Sequence, residues 1–108
     1  MKKLTIIFII FMQSTTASSM YLIKDYLSQK DTHKAFFEAY IDGLGEGMMW
    51  SIVSSKDPFY CPPRNLAVTK ENYIRILEDQ IRREGIDNLP IELTLKNGLQ
   101  HTFPCAKK

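Results

Sequence analysis

PIELTLKNGLQHTF, residues 90–103, decides the fold class of this chain. Two readings compete for it. Ile91, Leu93 and Leu95 alternate with polar residues, and Asn97-Gly98 is the dipeptide that a tight hairpin turn prefers, which together predict two short strands. The helical reading takes Asn88 as a cap and Pro90 in the first turn. It sets Ile91, Leu95 and Leu99 on one face. Local chemistry leaves both open. Strands here would make the domain mixed α and β, and a helix would make it all-α.

The segments upstream read as helices. Thr69 is a capping residue, because a short oxygen-bearing side chain accepts from the orphan N–H groups of a first turn. The helix it starts runs to Glu84 and stops at Gly85. Tyr73, Ile74, Leu77 and Ile81 form its expected buried stripe. Glu71–Arg75, Glu78–Arg82 and Asp79–Arg83 are four-residue pairs with the acid first, the favourable order, each contributing about 0.2–0.5 kcal/mol. They predict an ordinary solvated face there, not a basic binding face.

Further upstream, KDPFYCPPRNLAV at 56–68 is the main loop. Pro58, Pro62 and Pro63 fix backbone angles and remove N–H donors, so no helix forms across it. Before it, Phe37, Tyr40, Ile41, Leu44, Met48 and Ile52 recur at helical spacing over about 20 residues, with Asp31 or Thr32 as the expected cap. Gly43, Gly45 and Gly47 interrupt this pattern, and each costs a helix about 1 kcal/mol relative to alanine. Close approach of a neighbouring helix is the expected compensation. A phosphate-binding loop is not, since no strand precedes the glycines and no lysine follows them. Leu22, Ile23, Tyr26 and Leu27 predict a short helix over 21–28.

Residues 1–19, MKKLTIIFIIFMQSTTASS, have the three-part layout of a secretory signal peptide: Lys2 and Lys3, an apolar run from Leu4 to Met12, then small polar residues. The run is shorter than the roughly 20 apolar residues that span a bilayer. The expected organisation is a leader at 1–19 and one domain at 20–108. The expected location is the periplasm. The formal charge is +2, with 14 basic and 12 acidic residues. Lys2 and Lys3 account for the excess, so the domain is formally neutral and has no nucleic-acid or membrane-surface footprint.

Cys61 and Cys105 are the 2 cysteines. In a small exported domain such a pair reads as one disulfide, which by the chain-entropy model adds roughly 4 kcal/mol for a loop of this length. The rival reading is a nucleophilic or metal-binding thiol. The remaining chemistry is sparse. His33 and His101 lie in different elements without metal-ligand spacing, and core methionines with surface histidines account for them and for Met48 and Met49 better than a copper site does. The serines match no nucleophile-elbow motif. The expectation is therefore a non-enzyme with no catalytic residues, metal or cofactor. Phe59, Tyr60, Arg64 and Asn65 flank the cysteine and the proline pair. Aromatic and arginine side chains on a pre-ordered loop are candidate partner contacts, although Phe59 and Tyr60 can equally pack into the core. Arg82 and Arg83, in the 82–88 helix end, are second candidates. Trp50 is expected in the core or at a dimer interface.

The motifs in order are Tyr40-Ile41-x-Gly43 with a further Gly47, Phe59-Tyr60-Cys61-Pro62-Pro63, Val68-Thr69, and Leu99-x-x-x-Phe103-Pro104-Cys105. Behind a leader, this order resembles the Rap/Tai immunity proteins associated with type VI secretion, over about Phe36 to Cys105. The resemblance implies an all-α, small single-domain bundle of about four helices, stapled by a Cys61–Cys105 disulfide. It also implies the helical reading of 90–103, although Asn97-Gly98 departs from the better helix formers that the family favours. Family members bind a protein toxin injected into the periplasm. Several of these toxins are peptidoglycan amidases whose active site is occluded, and some members act as dimers. The family's toxin contacts are not fixed by its motif, so none is carried over. The rival classes are a general periplasmic chaperone or stress-response binding protein, and a small enzyme.

Overall fold

The computed structural model describes residues 20–106, and the expected leader at 1–19 lies outside the described residues. Four helices follow one another: α1 Ile23–Gln29, α2 Lys34–Val53, α3 Lys70–Glu84 and α4 Ile91–Thr102. The domain is all-α, with one disulfide joining Cys61 to Cys105. The most extensive packing is between α3 and α4, followed by that between α2 and α3.

Residues 91–102 are helical, so the hairpin reading is overturned. Ile91, Leu95 and Leu99 are fully buried, as the helical spacing requires. Gly98 lies inside the helix. A Cβ there would sit 2.9 Å from Ile76 Cγ2 and 3.1 Å from the Ile76 carbonyl oxygen. The glycine is thus the point where α4 meets α3, and tertiary packing outweighs its low helix propensity. The expected cap, Asn88, is not used, and Pro90 is the N-cap itself. The Ile91 N–H instead donates to the Tyr21 carbonyl at 2.9 Å. Leu22 and Pro90 form an isolated antiparallel bridge, and the Ile23 N–H donates to Leu89 at 2.8 Å. This short pairing ties the start of the described chain to the α3–α4 connection. The Tyr26 hydroxyl completes the attachment by donating to Glu78 at 2.6 Å.

The long helix α2 runs without a break through Gly43, Gly45 and Gly47. Phe37 and Ile41 are buried, and Tyr40, Leu44, Met48 and Ile52 pack against the core. Neither Asp31 nor Thr32 caps this helix. His33 is the N-cap and makes no side-chain cap bond, because the chain turns directly out of α1 with the His33 N–H bonded to the Gln29 carbonyl at 2.8 Å.

Thr69 caps α3 as expected, accepting from the Asn72 N–H at 3.3 Å, and Gly85 closes the helix in the left-handed conformation at φ 65°. Its buried side is Tyr73, Ile76, Leu77 and Gln80, whereas Ile74 and Ile81 are only partly buried. The expected four-residue ion pairs on α3 are replaced. Arg82 pairs with Asp79, Arg75 donates to Asn72 at 2.7 Å, and Arg83 donates to Gln80 at 2.9 Å. Glu78 turns across to Lys30 of the α1–α2 turn at 3.3 Å. A carboxylate that can close an interhelical bond from a half-buried position gains more than one left on a solvated face.

Candidate functional site

The 54–69 connection crosses the molecule between α2 and α3, and three anchors hold it in place. The disulfide joins Cys61 to Cys105 just beyond α4. The Cys61 N–H donates to the Phe103 carbonyl at 2.8 Å. Tyr60 is fully buried, with its ring 6.4 Å from that of Phe103 and its hydroxyl 3.9 Å from Met49 Sδ. Burial, with the charge of Glu46 as a lesser cause, pushes the Tyr60 phenol up to about 12.

Between this anchored loop and the last turns of α2 lies a groove of about 580 Å³. Met49, Ile52 and Val53 form the helix side. Pro58, Tyr60, Cys61, Pro62, Pro63, Arg64 and Leu66 form the loop side. Its lining side chains are apolar apart from the Arg64 guanidinium and the Tyr60 hydroxyl, polar atoms make up much of the remaining surface, and Val53 and Leu66 are exposed. Such a groove can take an apolar side chain and fix one anionic or carbonyl group of a partner through Arg64.

The sequence-predicted contacts separate on this frame. Arg64 and Asn65 are exposed on the loop. Tyr60 is fully buried, the core-packing alternative for this ring, which forms the floor beneath the loop. Phe59 is half-buried, its ring tilted against that of Tyr60 at 4.9 Å and covered by Lys96 at 5.6 Å from the ring centre. Arg82 and Arg83 are exposed but occupy the last turn of α3. At 1.5 Å per residue they lie roughly 20 Å along the helix from Thr69, so they do not join the loop site. Trp50 is 70% exposed, which corrects its placement in the core. Met49, Ile52, Val53 and Leu66 were not predicted as site residues. The available signal was Val53 beside Ile52 at the end of a helical pattern, facing a proline-rich loop.

A second, smaller cleft of about 200 Å³ lies where α1, α2 and α3 meet, and is lined by Tyr26, Lys30, Lys34, Phe37, Glu38 and Glu78 among others. Its charges other than Asp31 are paired. Lys30 pairs with Glu78, and Lys34 and Lys70 both pair with Glu38. Hydrogen bonds from Lys34 and then Lys70 hold the Glu38 carboxyl below the usual range. Among the described residues no group of three His, Cys, Asp or Glu side chains is placed to hold a metal ion. No described helix is long and apolar enough to cross a membrane. No family model, curated protein or solved structure matches this chain.

Proposed function

We propose that this domain is an exported immunity protein. It docks its 56–68 loop and the adjoining groove into the active-site cleft of a cell-wall-degrading effector delivered by type VI secretion, and thereby keeps substrate out. A peptidoglycan amidase is the effector class this reading favours, and the periplasm is where the encounter takes place.

One observation carries the reading. The disulfide-anchored, proline-rich loop presents a groove that combines apolar side chains with a single guanidinium, on a backbone held at three points. A loop held by Cys61–Cys105, by the Cys61–Phe103 backbone bond and by the buried Tyr60 loses little conformational entropy on docking. This preorganisation is what an inhibitor needs in order to bind tightly through a small contact. The motif order around Cys61 and Cys105 favours this effector class, and the Lys-Lys and apolar start of the chain favours this compartment.

The test is titration of the oxidised protein into the cell-wall hydrolases encoded beside its gene. The expected result is stoichiometric binding to one of them and loss of its hydrolysis, with Arg64→Glu and Leu66→Asp each weakening the complex at least tenfold. Weak binding to many unfolded clients, rising at low pH, would replace this reading with a chaperone.

A further inference from the structure

Asn97-Gly98 is a turn signal in the sequence, yet the pair lies inside α4. It also carries a chemistry of its own. Of Asn65, Asn72, Asn88 and Asn97, only Asn97 is followed by glycine. An asparagine amide is open to attack by the backbone nitrogen of the next residue, one reason asparagine is thermolabile. Glycine, with no Cβ, hinders that attack least.

In the attack the Gly98 nitrogen gives up its proton and bonds to Asn97 Cγ. The Cγ–Nδ2 bond breaks, and ammonia leaves with that proton. Water then opens the cyclic imide at one of its two carbonyls, leaving aspartate or isoaspartate. Water is the only other reactant.

The fold blocks each step. Inside α4 the helical ladder engages the Gly98 N–H with the carbonyl four residues back. The helical ψ of roughly −42° holds that nitrogen away from Asn97 Cγ. Gly98 is buried against Ile76, so neither base nor water reaches it. The leaving amide is held as well. Asn97 Nδ2 donates to Glu84 Oε2 at 3.0 Å, and Gln80 Nε2 donates to the same oxygen at 2.9 Å.

The same contacts reject the product. Aspartate at 97 would set a second carboxylate where Glu84 now receives a donor. Glu84 Oε1 is already buried with no hydrogen-bond partner among the described residues. Two carboxylates sharing one site repel. Isoaspartate would lengthen the main chain by a methylene and shift the register of α4 at the residue packed on Ile76.

We propose that Asn97 is a modification site that opens only when the domain unfolds, and that deamidation there leaves a chain unable to regain α4. A chain that folds promptly keeps the amide. One left unfolded is marked permanently. This inference does not depend on the function proposed above.

The test compares the oxidised protein, expressed from the complete sequence, in its native state and in guanidinium chloride at one pH and temperature. Peptide mass spectrometry follows Asn97. Deamidation should be slower in the native protein by on the order of a hundredfold or more, because the reactive form arises only through opening of α4. After the denaturant is removed, the refolded fraction should contain Asn97 chains, and the modified chains should collect in the unfolded fraction. Asn97→Gln cyclises far more slowly, so its refolding yield should be the same before and after equal ageing, which separates this site from other damage. Equal rates in the native and unfolded protein, or modified chains that refold as fully as unmodified ones, would overturn the inference.

Discussion

The Cβ position of Gly45 lies 2.6 Å from three ring carbons of Tyr73, and that ring is fully buried. The α2–α3 contact is therefore set by the absence of one methyl group. Gly45→Ala gains about 1 kcal/mol of helix propensity but must displace a ring with no free space around it. Overpacking of this kind costs about 1–3 kcal/mol, and contact this close belongs at the upper end. The variant should melt below the wild type. Gly43→Ala, which meets nothing within 4 Å, should raise the melting temperature of the dilute protein by several degrees, at about 4–8 °C per kcal/mol. Thermal unfolding of both variants at low concentration checks the pair, and equal behaviour would contradict this packing.

Gly98→Ala should be at least as harmful as Gly45→Ala. A Cβ there meets the Ile76 carbonyl oxygen at 3.1 Å as well as Ile76 Cγ2 at 2.9 Å. Backbone in the middle of a helix cannot step aside as a side-chain end can. A loss of about 2–3 kcal/mol, read from the urea midpoint, is expected. An unchanged midpoint would mean that α3 and α4 do not approach as described.

The Cys61–Cys105 bridge spans 44 residues of sequence. Its removal in Cys61→Ala/Cys105→Ala should cost about 4 kcal/mol on the chain-entropy model. Because Cys61 also lines the groove, the loss should appear first in the loop. Amide exchange should accelerate across 56–68 more than in the interior of α3. Uniform acceleration would show that the bridge supports the bundle generally and not the loop in particular.

Alkaline stability follows from the buried phenols. Burial raises Tyr60 to about 12 and holds Tyr26, Tyr40 and Tyr73 higher still, with hydrogen bonds to Glu78 and Glu92 adding to the effect for Tyr26 and Tyr40. A folded-state pKa above the unfolded value of 10.0 stabilises the fold fully below pH 10. That contribution disappears as pH rises through the folded values. The urea midpoint should therefore fall steeply between pH 10 and 12, and phenolate absorbance should rise together with loss of helical circular dichroism. Ionisation of these four phenols well before unfolding would contradict their burial.

Much of the fold was legible from residue spacing and caps. The Thr69 cap and the Gly85 stop define α3 because both act through bonds within a few residues. The proline-rich 56–68 loop was equally clear, because proline excludes a helix whatever surrounds it. Residues 90–103 were not legible from local chemistry. Asn97-Gly98 is a turn signal in isolation, and only the approach of Ile76 gives Gly98 a reason to lie inside a helix. The ion pairs on α3 were misread for a similar reason. Spacing places Glu78 near Arg82, but the Lys30 and Tyr26 groups that capture it come from another element. At the groove, the loop residue Arg64 could be named from the sequence. The partners Met49, Ile52 and Val53 could not, because nothing in the sequence shows which side of α2 the loop lies against.

If, as proposed, the chain neutralises a cell-wall-degrading effector outside the cytoplasm by docking its disulfide-anchored loop, cells that direct each neighbouring-gene hydrolase to their own periplasm while expressing this protein should survive one of them. Protection should come from the complete chain and be lost when residues 1–19 are deleted or when Arg64→Glu and Leu66→Asp are combined. Lysis by every hydrolase at full expression of the complete chain, or protection that survives both changes, would contradict it.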